Sequence, residues 1–178
     1  DTGLLEREIK LYKRLIQNGV NVSFITYGDN TDYEFQALVE NINILPLYSK
    51  LRRPKSRILR LVHSFILPLV FRSEMRESDI LKTKQILGGW NAVLCKWIWK
   101  KPLLVRCGYE LYSFSIKQNK PYLYKTIIKY MSKVIYSQAD KILITTRRDK
   151  NFIHKTFNID KLNIEVQSNW IDSEIFNS

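Results

Sequence analysis

Strand-sized apolar runs in this 178-residue chain are separated by helix-length segments and not by two-residue turns. That alternation constrains the fold more than any other feature, because strands joined through helices cannot pair as hairpins and must cross over in parallel. The first unit shows the pattern in full. Leu5, Ile9, Tyr12 and Ile16 recur at intervals of four, three and four, which sets them on one helical face. Glu6, Arg7, Lys10, Lys13 and Arg14 fall largely on the other side. Asn18-Gly19 supplies a left-handed stop, and Val20, Val22, Phe24 and Ile25 form a strand-length run closed by Thr26-Tyr27-Gly28.

The same alternation continues. A polar loop around Asp29 to Asp32 leads to a strand near Ile42 to Leu45, ended by Pro46. The basic loop KLRRPKSR runs into a helix predicted over about Ser56 to Phe71, with Pro68 inside it. A strand at Ile80-Leu81, a Gly88-Gly89 loop and a helix from Trp90 to Trp99 follow. Then come a strand over Pro102 to Val105, a helix over Pro121 to Ser137, a strand over Ile142 to Thr145, a helix from Arg147 to Phe157 and a last strand around Asn163 to Val166. The expected fold is α/β, a three-layer domain with a mostly parallel sheet. Ligands of such sheets sit beyond the carboxyl ends of the strands. That rule singles out Thr26 to Gly28, Lys82 to Gln85, Arg106 to Glu110, Thr145 to Arg148 and Ser168-Asn169.

Thr2-Gly3 read as a small loop before a helix N-terminus, where free backbone N–H groups suit phosphate. Gly3 equally reads as a plain N-cap, with Glu6 at the third helical position favouring the positive end of the dipole. A loop of this kind normally hangs off a preceding strand. The chain is therefore expected to begin inside a βαβ unit and to be part of a larger enzyme.

Charge bounds the partner. Lys and Arg number 29 against 17 Asp and Glu, a net charge of +12 and a pI near 9.7, which implies an anionic partner: nucleic acid, an anionic membrane or a phosphorylated substrate. A hydrophobic fraction of 45% argues against disorder. Cys95 and Cys107 sit in apolar contexts, which points to a reducing compartment. The longest apolar run, SFILPLVF, falls well short of the ~20 residues that span a bilayer. There is no Asp-x-Asp pair, zinc spacing or P-loop, so no metal is assigned. Glu6 and Glu8 do not share a helical face and form no catalytic pair. His63 and His154 fall inside predicted helices and read as structural or surface residues.

The segments ILKTKQILGGW, KPLLVRCGYELYSF, SQADKILITT and NWIDSEIF, in this order and spacing, resemble the N-terminal half of a retaining glycosyltransferase of the GT-B fold. The family is the family-4, or group-1, glycosyltransferases that build bacterial surface polysaccharides. The resemblance runs from Gly3 to Phe176. It implies a Rossmann-like acceptor-binding domain over residues 1–168, with 169–178 starting the crossover to a second domain that binds the nucleotide-sugar donor. Asn169, Ile171, Asp172 and Phe176 resemble the family motif leading into that domain.

Thr2-Gly3 resemble the family's glycine loop, which closes over the donor phosphates, although Thr2 stands where a second glycine is common. Arg106 to Glu110 resemble the strand-end segment that often presents a histidine to the sugar. Cys107 occupies that position, so no catalytic residue is assigned. The acceptor side is expected to use Lys82, Gln85, Arg106, Cys107, Gly108, Tyr109 and Glu110. Lys82 and Glu110 read equally well as solvated loop charges.

The implied reaction moves a sugar from a nucleotide-sugar donor, a substrate and not a cofactor, to a glycan or lipid-linked acceptor. The chain alone is expected to turn over nothing. Lysines interleaved with tyrosines in IKQNKPYLYKTIIKYMSK and the apolar helix after KLRRPKSR suit an anionic membrane surface, giving an expected place on the cytoplasmic face of the plasma membrane. Plain core packing explains Leu59, Val62 and Ile66 equally well. The alternatives are a basic nucleic-acid-binding α/β module, disfavoured by the lack of an RNA-reading motif, and a non-catalytic membrane-associated scaffold.

Overall fold

The computed structural model describes residues 2–39 and 41–168, with side chains from residue 9 onward. These residues form two compact units, one running through Ser64 and the other beginning at Phe65.

The first unit opens with α1 (Thr2–Gln17), whose stripe Ile9, Tyr12 and Ile16 packs with Val22, Phe24, Val39, Ile42 and Ile44. Tyr12 meets Phe24 edge to face, ring centroids 4.8 Å apart. Gly19 ends the helix at φ +81°, and the Gly19 and Val20 amides donate back to Ile16 and Leu15 at 2.9 and 3.1 Å, closing the last turn as the Asn18-Gly19 pair predicts. β1 (Val22–Thr26) and β2 (Ile42–Pro46) pair in parallel, Val22 opposite Ile42 and Thr26 opposite Pro46. The connection between them holds a 3₁₀ helix, Asn30–Ala37, where the sequence suggests a loop. Asp29 caps it, accepting from the Thr31 amide at 3.2 Å. α2 (Leu47–Lys50) and α3 (Arg57–Phe65) follow.

The helix predicted over Ser56 to Phe71 is two shorter ones, α3 and α4 (Leu67–Val70), and α5 (Arg72–Glu77) follows. Pro68 is the cause. It has no N–H and its ring crowds the carbonyl of residue i−4, so it is accommodated only in the first turn of a new helix.

In the second unit, β3 (Leu81–Thr83) leads through a 3₁₀ turn, Ile86–Gly88, into α6 (Gly89–Trp99). β4 (Leu103–Cys107), α7 (Leu111–Lys117), α8 (Tyr122–Gln138), β5 (Lys141–Ile144), α9 (Arg147–Phe157) and β6 (Ile164–Val166) complete it. All three pairings of the sheet β3-β4-β5-β6 are parallel, as crossover helices require. α6 lies against β3, β4 and α8; α9 lies against β5 and β6. Leu103, Val105, Ile135, Ile142, Ile144, Ile153 and Ile164 are all but fully buried.

Gly89, expected in a loop, is the first residue of α6 and has no room for a side chain. A Cβ there would stand 2.9 Å from both Cδ1 and Cγ2 of Ile135 on α8. At the amino ends of the strands, one Asp140 oxygen accepts from the Leu103 amide at 2.7 Å and from Lys96 Nζ at 2.6 Å.

Candidate functional site at the carboxyl ends of the strands

Parallel pairing brings the last residues of β3, β4 and β5 side by side, and hydroxyl groups tie them together. The Arg106 amide donates to Thr83 Oγ1 at 3.1 Å, and Thr145 Oγ1 donates to the Gly108 carbonyl at 2.7 Å. Gln85 extends from the end of β3 so that its Nε2 would stand 3.3 Å from a Cβ on Gly108. The Gln85 side chain thus lies beside Gly108, and the Arg106 backbone is tied to the end of β3. The two threonines that fix them, Thr83 and Thr145, carried no signal beyond lying at strand ends.

β4 sorts its residues by alternation. Leu103, Val105 and Cys107 point into the core, while Leu104 and Arg106 are half-buried. Tyr109 lies in the loop beyond, 45% exposed, with its ring 5.1 Å from that of Phe114.

Five of the expected site residues stand differently. Cys107 is 0% exposed and is not available to an acceptor. Burial pushes its thiol up to about 12, although the Tyr136 hydroxyl donates to Sγ at 3.8 Å. Glu110 is neither a solvated charge nor an exposed hydrogen-bonding group. It is 1% exposed and caps α7, accepting from the amides of Tyr112 and Ser113 at 3.1 and 2.5 Å. Burial raises its pKa above the ordinary value even against those two bonds. Lys82 lies inside β3, not beyond it. Thr2 and Gly3 form the first turn of α1, not a loop before it, so Gly3 is not the N-cap. The first amides of a helix have no intrahelical partner wherever it starts.

Tyr136 is the buried residue the sequence did not point to. It is 1% exposed, and burial drives its phenol well above the usual tyrosine range. Beyond β5, Thr146 caps α9 by accepting from the Asp149 amide at 3.0 Å. His154 holds the end of that helix, its Nδ1 2.8 Å from the Ile159 carbonyl, which is the structural role expected of it. His63 lies on α3 with its ring centroid 6.1 Å from that of Tyr48.

In the first unit the residues after β1 are likewise held locally. Thr26 Oγ1 donates to Asp32, Asp32 also lies against Gly28, and Arg53 pairs with Asp29 at 2.9 Å. Ser168-Asn169 lie at the limit of the described residues, and Asn169, Ile171, Asp172 and Phe176 lie outside them. Among the described residues no three His, Cys, Asp or Glu side chains are grouped to hold a metal ion, and no helix is long and apolar enough to cross a membrane.

The family model described as Glycosyltransferase Family 4 matches residues 9–175. No curated protein matches the sequence. Among solved structures, the crystal structure of Anabaena HepE in complex with UDP and glucose is similar to the chain, with a TM-score of 0.60 at 9% identity. The match covers 97% of this chain and 41% of that one, so the chain spans well under half of HepE's length. At this identity the likeness bears on the fold alone, and the fold is the α/β arrangement of parallel strands that the alternating pattern predicts, Rossmann-like as the family resemblance implies.

Proposed function

The chain belongs to glycosyltransferase family 4, and we propose that it forms the acceptor-binding half of an enzyme that moves a sugar from a nucleotide-sugar donor to a glycan or lipid-linked acceptor in surface polysaccharide synthesis. The family match over nearly the whole chain carries this reading, and the UDP and glucose bound by HepE favour a nucleotide-sugar as donor. In this proposal the donor is held by a second domain, and the nucleotide-sugar is a substrate, with no cofactor or metal assigned.

Glycosyl transfer expels an anionic nucleotide diphosphate and needs one acceptor hydroxyl held in line with the sugar carbon. In this proposal Arg106, Gln85, Tyr109 and Lys82 supply hydrogen bonds to sugar hydroxyls. Gly108 keeps the floor between them open. Cys107 and Glu110 are buried and make no contact with the acceptor. The first amides of α1, at Thr2 and Gly3, are suited to the donor phosphates.

The proposal places the enzyme at the cytoplasmic face of an anionic membrane. On α8, Leu123, Ile127, Tyr130 and Val134 make an exposed apolar stripe at helical spacing beside Lys129 and Lys133. On α3, Leu59 and Val62, which core packing would have buried, are each 52% exposed.

Amide resonances of the chain, titrated with glucose-terminated oligosaccharides and separately with UDP-glucose, test the reading. Oligosaccharide should shift residues 85 and 106–110, and Arg106→Ala or Tyr109→Ala should abolish the shifts. Release of UDP by the chain alone would overturn the assignment of the donor site to another domain. Co-sedimentation with anionic and with zwitterionic vesicles tests the membrane placement, and equal recovery from both would remove it.

A further inference from the structure

β6 is an edge of the described sheet, pairing only with β5. Along it runs an open groove of about 610 Å³ lined by Lys141, Arg147, Lys150, Asn151, Lys161 and Glu165, with a few aliphatic side chains. Four cations face one carboxylate there. They come from three elements: the start of β5, the first two turns of α9, and the 3₁₀ turn Lys161–Asn163.

Two of the lysines build the wall of the groove. Lys150 Nζ donates to the Ile164 carbonyl at 2.5 Å, and Lys141 Nζ donates to the Leu162 carbonyl at 3.0 Å. Arg147, Asn151 and Lys161 have no side-chain partner among the described residues.

The backbone limits what can lie here. The Gln167 amide donates to Ile144 of β5, so by alternation Ile164 and Val166 carry the outward-facing groups of β6. At Ile164 both are spent, its N–H on the Lys161 carbonyl and its C=O on Lys150. A peptide strand therefore cannot extend the sheet at this residue, and the remaining means of attraction is charge. The volume suits a small molecule. Cations drawn from α9 and from the 3₁₀ turn together suit a ligand long enough to span them, carrying negative charge at both ends.

We propose that this groove binds a diphosphate group, free or carried on a nucleoside, with Arg147 and Lys161 as its unpaired cationic contacts and Asn151 as a neutral donor. The site shares no residue with Gln85 and Arg106 to Glu110, and it does not depend on the transfer reaction proposed above.

Calorimetric titration of the 178-residue chain with pyrophosphate, orthophosphate and UDP at low ionic strength tests this, with circular dichroism confirming that each variant is folded. Pyrophosphate should bind at least about tenfold more tightly than orthophosphate, and weaken as salt is added. UDP should match pyrophosphate to within about threefold, because no aromatic ring lines the groove to stack a base. R147Q/K161Q should weaken pyrophosphate roughly tenfold or more, whereas K117Q/K120Q, an equal loss of charge elsewhere, should not. Equal loss in the two double variants would mean diffuse attraction to a basic protein and would overturn the proposal. So would orthophosphate binding as tightly as pyrophosphate, UDP binding tenfold more tightly than pyrophosphate, or no binding to the unaltered chain.

Discussion

Replacing Glu110 tests whether the strand-end loop is held from within. Its carboxylate is 1% exposed and accepts the amides of Tyr112 and Ser113, two of the first N–H groups of α7 that the helix itself cannot satisfy. Glu110→Ala leaves both amides unpaired where water is excluded, a loss of about 2 kcal/mol. For a chain of this size that corresponds to roughly 4–8 °C in Tm. Glu110→Gln keeps one acceptor oxygen and should cost about 1 kcal/mol.

The glutamine variant also isolates the titration of Glu110. Burial holds the native pKa above the ordinary 4.5. The native state therefore binds more protons than the unfolded state between the unfolded and folded pKa values, and stability falls as pH rises through that interval. Urea unfolding of both proteins across that range should show the wild type losing stability relative to E110Q as pH rises above 4.5. A difference that stays constant with pH, or a Glu110→Ala loss below about 0.5 kcal/mol, would refute the assignment of Glu110 as a buried cap.

Gly89→Ala should destabilise the chain by about 1–3 kcal/mol in thermal unfolding, because the new methyl meets the fully buried Ile135 side chain at 2.9 Å. Gly88→Ala, with nothing within 4 Å, should be close to neutral, and equal stability of the two variants would contradict the packing described for α6 and α8. Cys95 and Cys107, buried and with thiols pushed up to about 12, should resist a disulfide reagent at pH 8 in the native state and react together once urea unfolds the chain. Rapid modification of Cys107 in the folded protein would show that the end of β4 opens.

The fold was legible wherever one residue pattern settles one element. The Ile9, Tyr12, Ile16 spacing predicts the buried face of α1, and the apolar runs place the strands to within a few residues, since burying a parallel strand on both faces demands such runs. α7 was not legible because seven residues are too few to display a helical period, and its one marker, the capping Glu110, looks like any loop carboxylate. Glutamate is seldom fully buried, so no reading of its own sequence context would place it inside. Cys107 could have been read as buried, since Leu103, Val105 and Cys107 alternate along one strand. The basic groove could not. Lys141, Arg147, Lys150 and Lys161 are ordinary surface cations until β5, α9 and the 3₁₀ turn set them around one edge.

The sorting of Arg106 to Glu110 has a chemical consequence for the proposed transfer reaction. Within these five residues Cys107 and Glu110 turn inward and are partnered there, Tyr109 turns to solvent, and Arg106 stays half-buried. Position 107, where the family resemblance expects a histidine, holds a buried thiol that stays protonated at neutral pH. A thiol in that state neither accepts nor delivers a proton, and it lies below the surface that a sugar would touch. In the proposed reaction position 107 therefore supplies no base to the acceptor hydroxyl, and its contribution is packing beneath the strand end.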